Sequence, residues 1–326
     1  MRVPEGIRTI PLPTMLPIGL VNVYLLEGEP LTLVDTGPRL EDAEAALRRG
    51  LKDLGHSVAD LEQILLTHGH VDHTGLAETL RAESGAKLLV PESDRAIVER
   101  FEETFADRRK RFSLELTKAG APEGTCDLVD DFMEWIRGLG GPARVDGSIR
   151  EGDVILAGGR ELKALHTPGH SAGSTCFLTV EGTLFSGDTI IREITPNAAF
   201  GGADGVSVGL VDYLASLRRL QGLPVADILP GHREAFTDVR RYAGEYQARF
   251  AARQAEIVRL LKQGPQTPFD LVGGLFGTLP IQEVLLGVTE VLGHLEVLTA
   301  EGLVVSDEKS GQRVFALAAA SRPPRA

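Results

Sequence analysis

The segment Thr67-His68-Gly69-His70-Val71-Asp72-His73 constrains this chain more than any other feature of its sequence. It holds three imidazoles and one carboxylate, directly after the short apolar run Ile64-Leu65-Leu66, which predicts a buried strand. A tight turn at the end of a strand lets the first two histidines point together, while the aspartate and the third histidine reach a neighbouring position. Neutral imidazole and carboxylate suit Zn²⁺ and similar divalent ions, so the pattern predicts a metal site.

Three more candidate ligands occupy the same kind of position, at the end of an apolar run and directly after a glycine. They are His170, Asp188 and His232. Glycine permits a sharp turn and a close approach of the backbone, although each residue alone could be an ordinary turn residue. Together with the first segment they supply the ligands that a two-metal site requires. The predicted metal ligands are therefore His68, His70, Asp72, His73, His170, Asp188 and His232.

In this order along the chain, the motifs resemble those of the metallo-β-lactamase superfamily of hydrolases, over about residues 1–235. The resemblance implies a first metal bound by His68, His70 and His170. It implies a second metal bound by Asp72, His73 and His232, with Asp188 bridging the two.

The segment Val34-Asp35-Thr36-Gly37 matches an early turn of the same family, in which the aspartate orients the histidines of the first site. The resemblance therefore adds Asp35 to Asp72 and Asp188 as the aspartates with a catalytic part. An ordinary Asx-type turn is the alternative for Asp35.

The expected chemistry is hydrolysis by a hydroxide that two divalent metal ions activate, because two such ions can share one water and lower its pKa. Zinc is the first expectation, and iron or manganese fit the same ligands. The histidine segments also resemble those of hydroxyacylglutathione hydrolase, which implies a small ester, thioester or lactone as substrate. A metal-dependent endoribonuclease or phosphodiesterase is one alternative. A non-catalytic, metal-binding regulatory protein is another, but the intact ligand set argues against it.

Strands and helices alternate through the first ninety residues, which predicts an α/β sandwich with the helices outside. The resemblance makes this the αββα metallo-β-lactamase sandwich, with residues 1–235 as the catalytic domain. Residues 92–145 break the alternation and predict a helical insertion, either a cap over the metals or a small satellite core. Within it, the run Arg108-Arg109-Lys110-Arg111 could receive an acidic group of a substrate or form a solvated helix face.

Residues 236–326 have a different character, with a long helix over residues 239–262, two further helices and a predicted β-hairpin. This order resembles the small winged-helix domain of a metallo-β-lactamase branch that includes an endoribonuclease. The helix predicted over residues 288–301 carries three glutamates and neither lysine nor arginine. Phosphate binding by that helix is therefore disfavoured, and a packing or homodimerisation module is expected.

The charge balance of 34 basic and 46 acidic residues, net −12, argues against bulk binding of nucleic acid. The expected partner is a small-molecule substrate. Two cysteines outside any metal motif, no apolar run of membrane-spanning length and no signal-peptide pattern lead us to expect a cytoplasmic protein without a membrane partner.

Overall fold

The computed structural model describes residues 3–198 and 209–319. The strands are β1 (Ile7–Leu12), β2 (Val21–Leu26), β3 (Thr32–Val34), β4 (Gln63–Leu65), β5 (Lys87–Pro91), β6 (Gly147–Ile149), β7 (Val154–Ala157), β8 (Arg160–His166), β9 (Thr175–Thr179), β10 (Thr183–Gly187), β11 (Asp227–Pro230), β12 (Val304–Lys309) and β13 (Gln312–Leu317). The helices are α1 (Glu41–Asp53), α2 (Val71–Thr74), α3 (Ala77–Ser84), α4 (Arg95–Glu99), α5 (Phe101–Lys118), α6 (Glu123–Arg137), α7 (Leu210–Gln221), α8 (Val239–Leu261), α9 (Pro268–Phe276) and α10 (Ile281–Ala300).

Two β-sheets form the centre of the fold. The first has the order β1-β2-β3-β4-β5-β6, and the second has the order β11-β10-β9-β8-β7. One buried cluster joins them, with Leu26 and Leu65 from the first sheet packed among Phe177 and Phe185 from the second. The inner faces of both sheets are therefore covered by each other, as in a sandwich.

Helices cover the outer face of each sheet. On the first sheet, Leu47 and Leu51 of α1 fall at helical spacing and pack over the strands together with Leu80 of α3. On the second sheet, Tyr213 of α7 and Tyr246 of α8 fill the corresponding cluster. The layers thus run helix, sheet, sheet, helix, and the predicted α/β sandwich is confirmed.

Residues 147–156 do not form one continuous strand. The segment forms two strands in different sheets, because β6 pairs with β5 in the first sheet and β7 pairs with β8 in the second. Gly152, with φ at +83°, lies in the turn between them. This crossing brings the chain from one layer of the sandwich to the other.

Helices α4, α5 and α6 occupy the predicted insertion. Phe101, Phe105 and Met133 are buried in a cluster that also contains Leu260 of α8 and Val288 of α10. The insertion and the C-terminal helices therefore share one hydrophobic core, which we call the shared core. The large apolar side chains of α5 and α6 mainly build this core, as in the satellite-core alternative for the segment.

The C-terminal part contains α8, α9 and α10, followed by the antiparallel hairpin of β12 and β13. The order of elements agrees with the sequence-based expectation, although α10 begins at Ile281, earlier than predicted. Within the described ranges, no single helix has the length and apolar character needed to cross a bilayer. Helices α9 and α10 have that length and apolar character only when they are taken together, and the angle between them is 113°.

Candidate metal centre

The seven predicted ligands come together where strands of both sheets end. The motif segment follows β4 and continues into α2, His170 follows β8, Asp188 follows β10, and His232 follows β11. Glycine is needed at this edge. A Cβ at position 231 would lie 2.3 Å from Asp188 Oδ1, and Gly187 has φ at +46°.

Three histidines form one group of facing nitrogen atoms. His70 Nδ1 lies 3.0 Å from His68 Nε2 and 2.9 Å from His170 Nε2. These three atoms all lie within 4.8 Å of one another. The group is the trio that the family resemblance assigns to a first metal.

Asp72, His73 and His232 form a second group with the same limit of 4.8 Å between ligand atoms. His232 Nε2 lies 3.3 Å from Asp72 Oδ2. Asp188 touches both groups, because its Oδ2 lies 3.5 Å from His170 Nε2 and 3.4 Å from His232 Nε2. Its carboxylate therefore lies between the two sets of ligand atoms.

The outward-facing nitrogen atoms of the histidines are held by hydrogen bonds. The Nδ1 atom of His232 donates to the carbonyl of Leu20 (2.8 Å), and that of His170 donates to the carbonyl of Asn197 (3.1 Å). A carbonyl can only accept, so Nδ1 carries a proton, and Nε2, which faces the centre, is the nitrogen available to a metal ion.

Asp35 contacts the second group directly and the first group only through Thr67. Its Oδ2 accepts hydrogen bonds from His73 Nδ1 and from the Thr67 hydroxyl, both at 2.8 Å. Since that hydroxyl donates to Asp35, it accepts from His68 Nδ1 at 3.0 Å. Asp35 thus orients His73 as well as His68, which differs from the expectation that it serves the first-site histidines. Its φ of 61° is uncommon outside glycine and accompanies this function.

Several ligand atoms are buried and lack a hydrogen-bond partner among the described residues. They are His73 Nε2, Asp188 Oδ1 and His232 Nε2. The His73 and His232 side chains are 0% and 1% exposed, so bulk water does not satisfy them. Unpaired buried polar atoms are costly and rare, and a divalent cation among these three atoms would satisfy them all. The residues present therefore fit a metal ion.

The electrostatics of the two groups also fit cation binding. Burial and the neighbouring His170 lower the pKa of His70 to about 3, so this imidazole is neutral and able to act as a ligand. Burial opposes a charge on His232, but the Asp188 carboxylate outweighs it and raises the pKa of His232 to about 10. The second group therefore attracts positive charge.

Asp94 is a supporting residue that the sequence-based reasoning missed. Its side chain is fully buried, and its Oδ2 accepts hydrogen bonds from the Gly69 amide (2.7 Å) and the Ser171 hydroxyl (3.1 Å). Gly69 separates the first two histidines of the motif, and Ser171 follows His170 directly. One carboxylate therefore ties together the two turns that carry the first group of histidines.

Helix α10 also reaches the centre, through Asn197. The carbonyl of Asn197 accepts the hydrogen bond from His170, and its side-chain amide donates to Thr289 Oγ1 (2.7 Å) and to the carbonyl of Leu286 (3.2 Å). Both acceptors belong to α10. The C-terminal part of the chain thus helps to hold a ligand of the first group.

Comparisons with known proteins agree with this geometry. The family model of the Metallo-beta-lactamase superfamily matches residues 16–232. The probable metallo-hydrolase YqjP of Bacillus subtilis (strain 168) is 31% identical over 307 residues, which cover 93% of this chain and 95% of that protein. Thioesterase pkgB of Emericella nidulans is 26% identical over 242 residues, which cover 74% of this chain and 54% of that protein.

The fold is likewise that of a solved structure. The crystal structure of the metallo-beta-lactamase family protein TTHA1429 from Thermus thermophilus has a TM-score of 0.84 and 30% identity. The match covers 97% of this chain and 100% of that one. By its matched family model, its similarity to a full-length relative and its histidine and aspartate clusters, the chain belongs to the metallo-β-lactamase superfamily of metal-dependent hydrolases.

Proposed function

We propose that this protein hydrolyses small acyl esters or thioesters with the help of two divalent metal ions. One observation carries the proposal, namely that two groups of ligand atoms meet at Asp188, with three buried atoms left without hydrogen-bond partners. A dinuclear site suits this arrangement because both groups have the separation that one ion requires. Zinc is the metal that we propose first, with iron and manganese as alternatives.

The seven residues would hold the two ions as follows. We assign His68, His70 and His170 to the first ion, and Asp72, His73 and His232 to the second. Asp188 contacts members of both groups and would bind both ions. When bound, divalent ions acidify a water molecule and polarise the acyl carbonyl that it attacks.

The chain's own residues prepare this centre in two ways. Asp35 holds the Nδ1 proton of His73, and backbone carbonyls hold those of His170 and His232, so that the Nε2 atoms of these three histidines face the centre. Burial favours a neutral Asp72, but His73 and His232 outweigh it and lower the pKa of Asp72 to about 2. This carboxylate therefore stays ionised, so that one of its oxygen atoms can bind the second ion and the other can accept a hydrogen bond from the attacking water.

An acyl thioester is the substrate class that the relatives favour, because pkgB is named a thioesterase and aligns with 74% of this chain. We propose residues 1–235 as the catalytic domain and residues 236–326 as a winged-helix-like packing module. Helix α10 contains three glutamates and neither lysine nor arginine, and it is mostly buried. These features favour a small-molecule substrate over RNA.

The test is a substrate panel assayed with zinc-loaded protein. It contains p-nitrophenyl acetate, S-acyl thioesters, a lactone, bis-p-nitrophenyl phosphate and single-stranded RNA. Turnover of acyl compounds that is lost in Asp188→Asn and retained in Asp42→Asn, an exposed aspartate of α1, would support the proposal. Cleavage of RNA or of the phosphodiester without any acyl turnover would overturn it. Bound metal with no turnover on the whole panel would indicate a non-catalytic protein.

A further inference from the structure

Arg108 continues the buried face of α5 towards the metal centre. Phe101, Phe105 and Arg108 follow the spacing i, i+4 and i+7, which places them on one side of the helix. The first two are buried in the shared core together with Val71, which directly follows His70. The Arg108 guanidinium carbon lies 5.0 Å from the centre of the Phe105 ring. The charged group therefore extends from the side of α5 that packs against the metal-binding segment.

The guanidinium of Arg108 lacks the partners that its neighbour has. Arg109, the next residue, forms ion pairs with Asp130 and Glu134. The Nε atom of Arg108 is buried without a hydrogen-bond partner, and no carboxylate oxygen in the described part of the chain lies within 4.0 Å of its side chain. A half-buried cation without an ion pair loses part of its hydration without gaining a partner, so its presence calls for an explanation.

The charge of Arg108 acts on the metal centre. It is one of the groups that lower the pKa of His70, after burial and His170, and it also acts on the buried Asp94 carboxylate. Burial lowers the pKa of Arg108 itself to about 10, although Asp94 opposes this shift. At neutral pH the group therefore remains a cation.

We propose that Arg108 binds a carboxylate group of the substrate, so that the enzyme prefers acyl compounds with a negative charge close to the scissile bond. The two terminal nitrogen atoms of a planar guanidinium can bind a carboxylate through two parallel hydrogen bonds, and those of Arg108 are not among its buried atoms. Because Arg108 lies on the face of α5 whose phenylalanines share a core with Val71 of the metal-binding segment, a carboxylate bound there would lie near the reacting acyl group. The substrate class is thus an anionic thioester or ester, and this specificity rests on the function proposed above.

A kinetic test compares two substrates of nearly equal size, S-acetyl-3-mercaptopropionate and its neutral amide, S-acetyl-3-mercaptopropionamide. We expect the native enzyme to have the higher kcat/KM on the carboxylate. Arg108→Gln should lower kcat/KM about 10- to 100-fold on the carboxylate and much less on the amide, as for loss of a hydrogen bond to a charged group. Lys110→Gln removes the same charge from an exposed position of α5 and should leave the ratio unchanged.

The competing explanation is that Arg108 only balances the charge of Asp94. In that case Arg108→Gln would change both substrates by the same factor, and the proposal would be wrong. A native enzyme with no preference for the carboxylate would also overturn it.

A binding measurement separates this inference from the proposed function. N-acetyl-β-alanine and its amide are non-hydrolysable analogues, and their binding can be followed by NMR without turnover. Tighter binding of the carboxylate that Arg108→Gln abolishes would support the Arg108 site even if no thioester were hydrolysed. Equal binding of both analogues to the native protein, together with rapid thioester hydrolysis, would refute the Arg108 site and leave the proposed function standing.

Discussion

Replacing Asp94 with alanine is expected to loosen the two turns that carry His68, His70 and His170. The Asp94 carboxylate is fully buried and accepts hydrogen bonds from the Gly69 amide and the Ser171 hydroxyl. Alanine removes the acceptor and leaves both donors inside the protein. The metal-free protein should therefore lose stability, and the protein should bind its metal more weakly.

The magnitude follows from the number of donors that lose their acceptor. A buried donor without an acceptor costs about 1–3 kcal/mol. The Ser171 hydroxyl can turn to Ser174 Oγ, which lies 2.9 Å away, whereas the Gly69 amide has no such choice because its direction is set by the backbone. With one donor left without an acceptor, we therefore expect a loss of about 1–3 kcal/mol in the free energy of unfolding. Metal affinity should fall about 10- to 100-fold, as is usual when a group that orients metal ligands is removed.

Two measurements check this prediction. Urea unfolding of the metal-free protein, followed by circular dichroism, gives the stability, and titration with Zn²⁺ against a competing chelator gives the affinity. Asp94→Asn keeps one acceptor oxygen and should lose less than Asp94→Ala. Glu92→Ala is the matched control, because Glu92 precedes Asp94 by two residues but is exposed and pairs with Arg150. An Asp94→Ala protein with native stability and native zinc affinity would refute the reasoning.

Four further outcomes are expected. Asp188→Ala should lose both metal and activity, and native metal content by mass spectrometry in this variant would contradict the bridging position. A chelator should abolish hydrolysis and added zinc should restore it; activity that persists in metal-free protein would rule out a metal-dependent reaction. Asn197→Ala, which removes the hydrogen bonds to α10, should lower kcat several-fold with an unchanged circular dichroism spectrum, and an unchanged kcat would show that α10 does not support His170. Burial lowers the pKa of His294 to about 4, so the unfolded chain takes up this proton first as the pH falls. Stability should then drop by about 1 kcal/mol between pH 7.5 and 5.5 relative to His294→Phe, as measured by urea unfolding, and equal slopes would contradict this.

The metal centre was predictable because its chemistry is local. Ligand residues in short segments after apolar runs mark strand ends, and strand ends meet at one edge of a sandwich. Asp94 was missed even though it follows β5, the neighbour of β4, because a single aspartate three residues after the end of a strand carries no metal-ligand spacing. Its function depends on contacts with Gly69 and Ser171, which are distant in sequence and meet only in the folded chain.

Parts of the fold were less predictable. The sequence predicted a helical insertion but not the bounds of α5, because the first half of this helix is rich in charged residues and only Phe101, Phe105 and Leu116 are buried along its 18 residues. The assignment of β6 and β7 to different sheets also escaped the strand pattern, since both are short and separated by one turn. Hydrophobic periodicity indicates which face of an element is buried, but not which partner covers it.

Through the shared core, the C-terminal helices pack against α5, the helix that carries Arg108. Because α8, α9 and α10 share this core with α5, a chain cut before α9 would leave part of the apolar surface of α5 uncovered. Transplanting the insertion into another sandwich would require carrying the last three helices along with it. We therefore expect substitutions in the packing between α5 and α10 to change substrate preference through the position of Arg108. Such substitutions would leave every metal ligand in place.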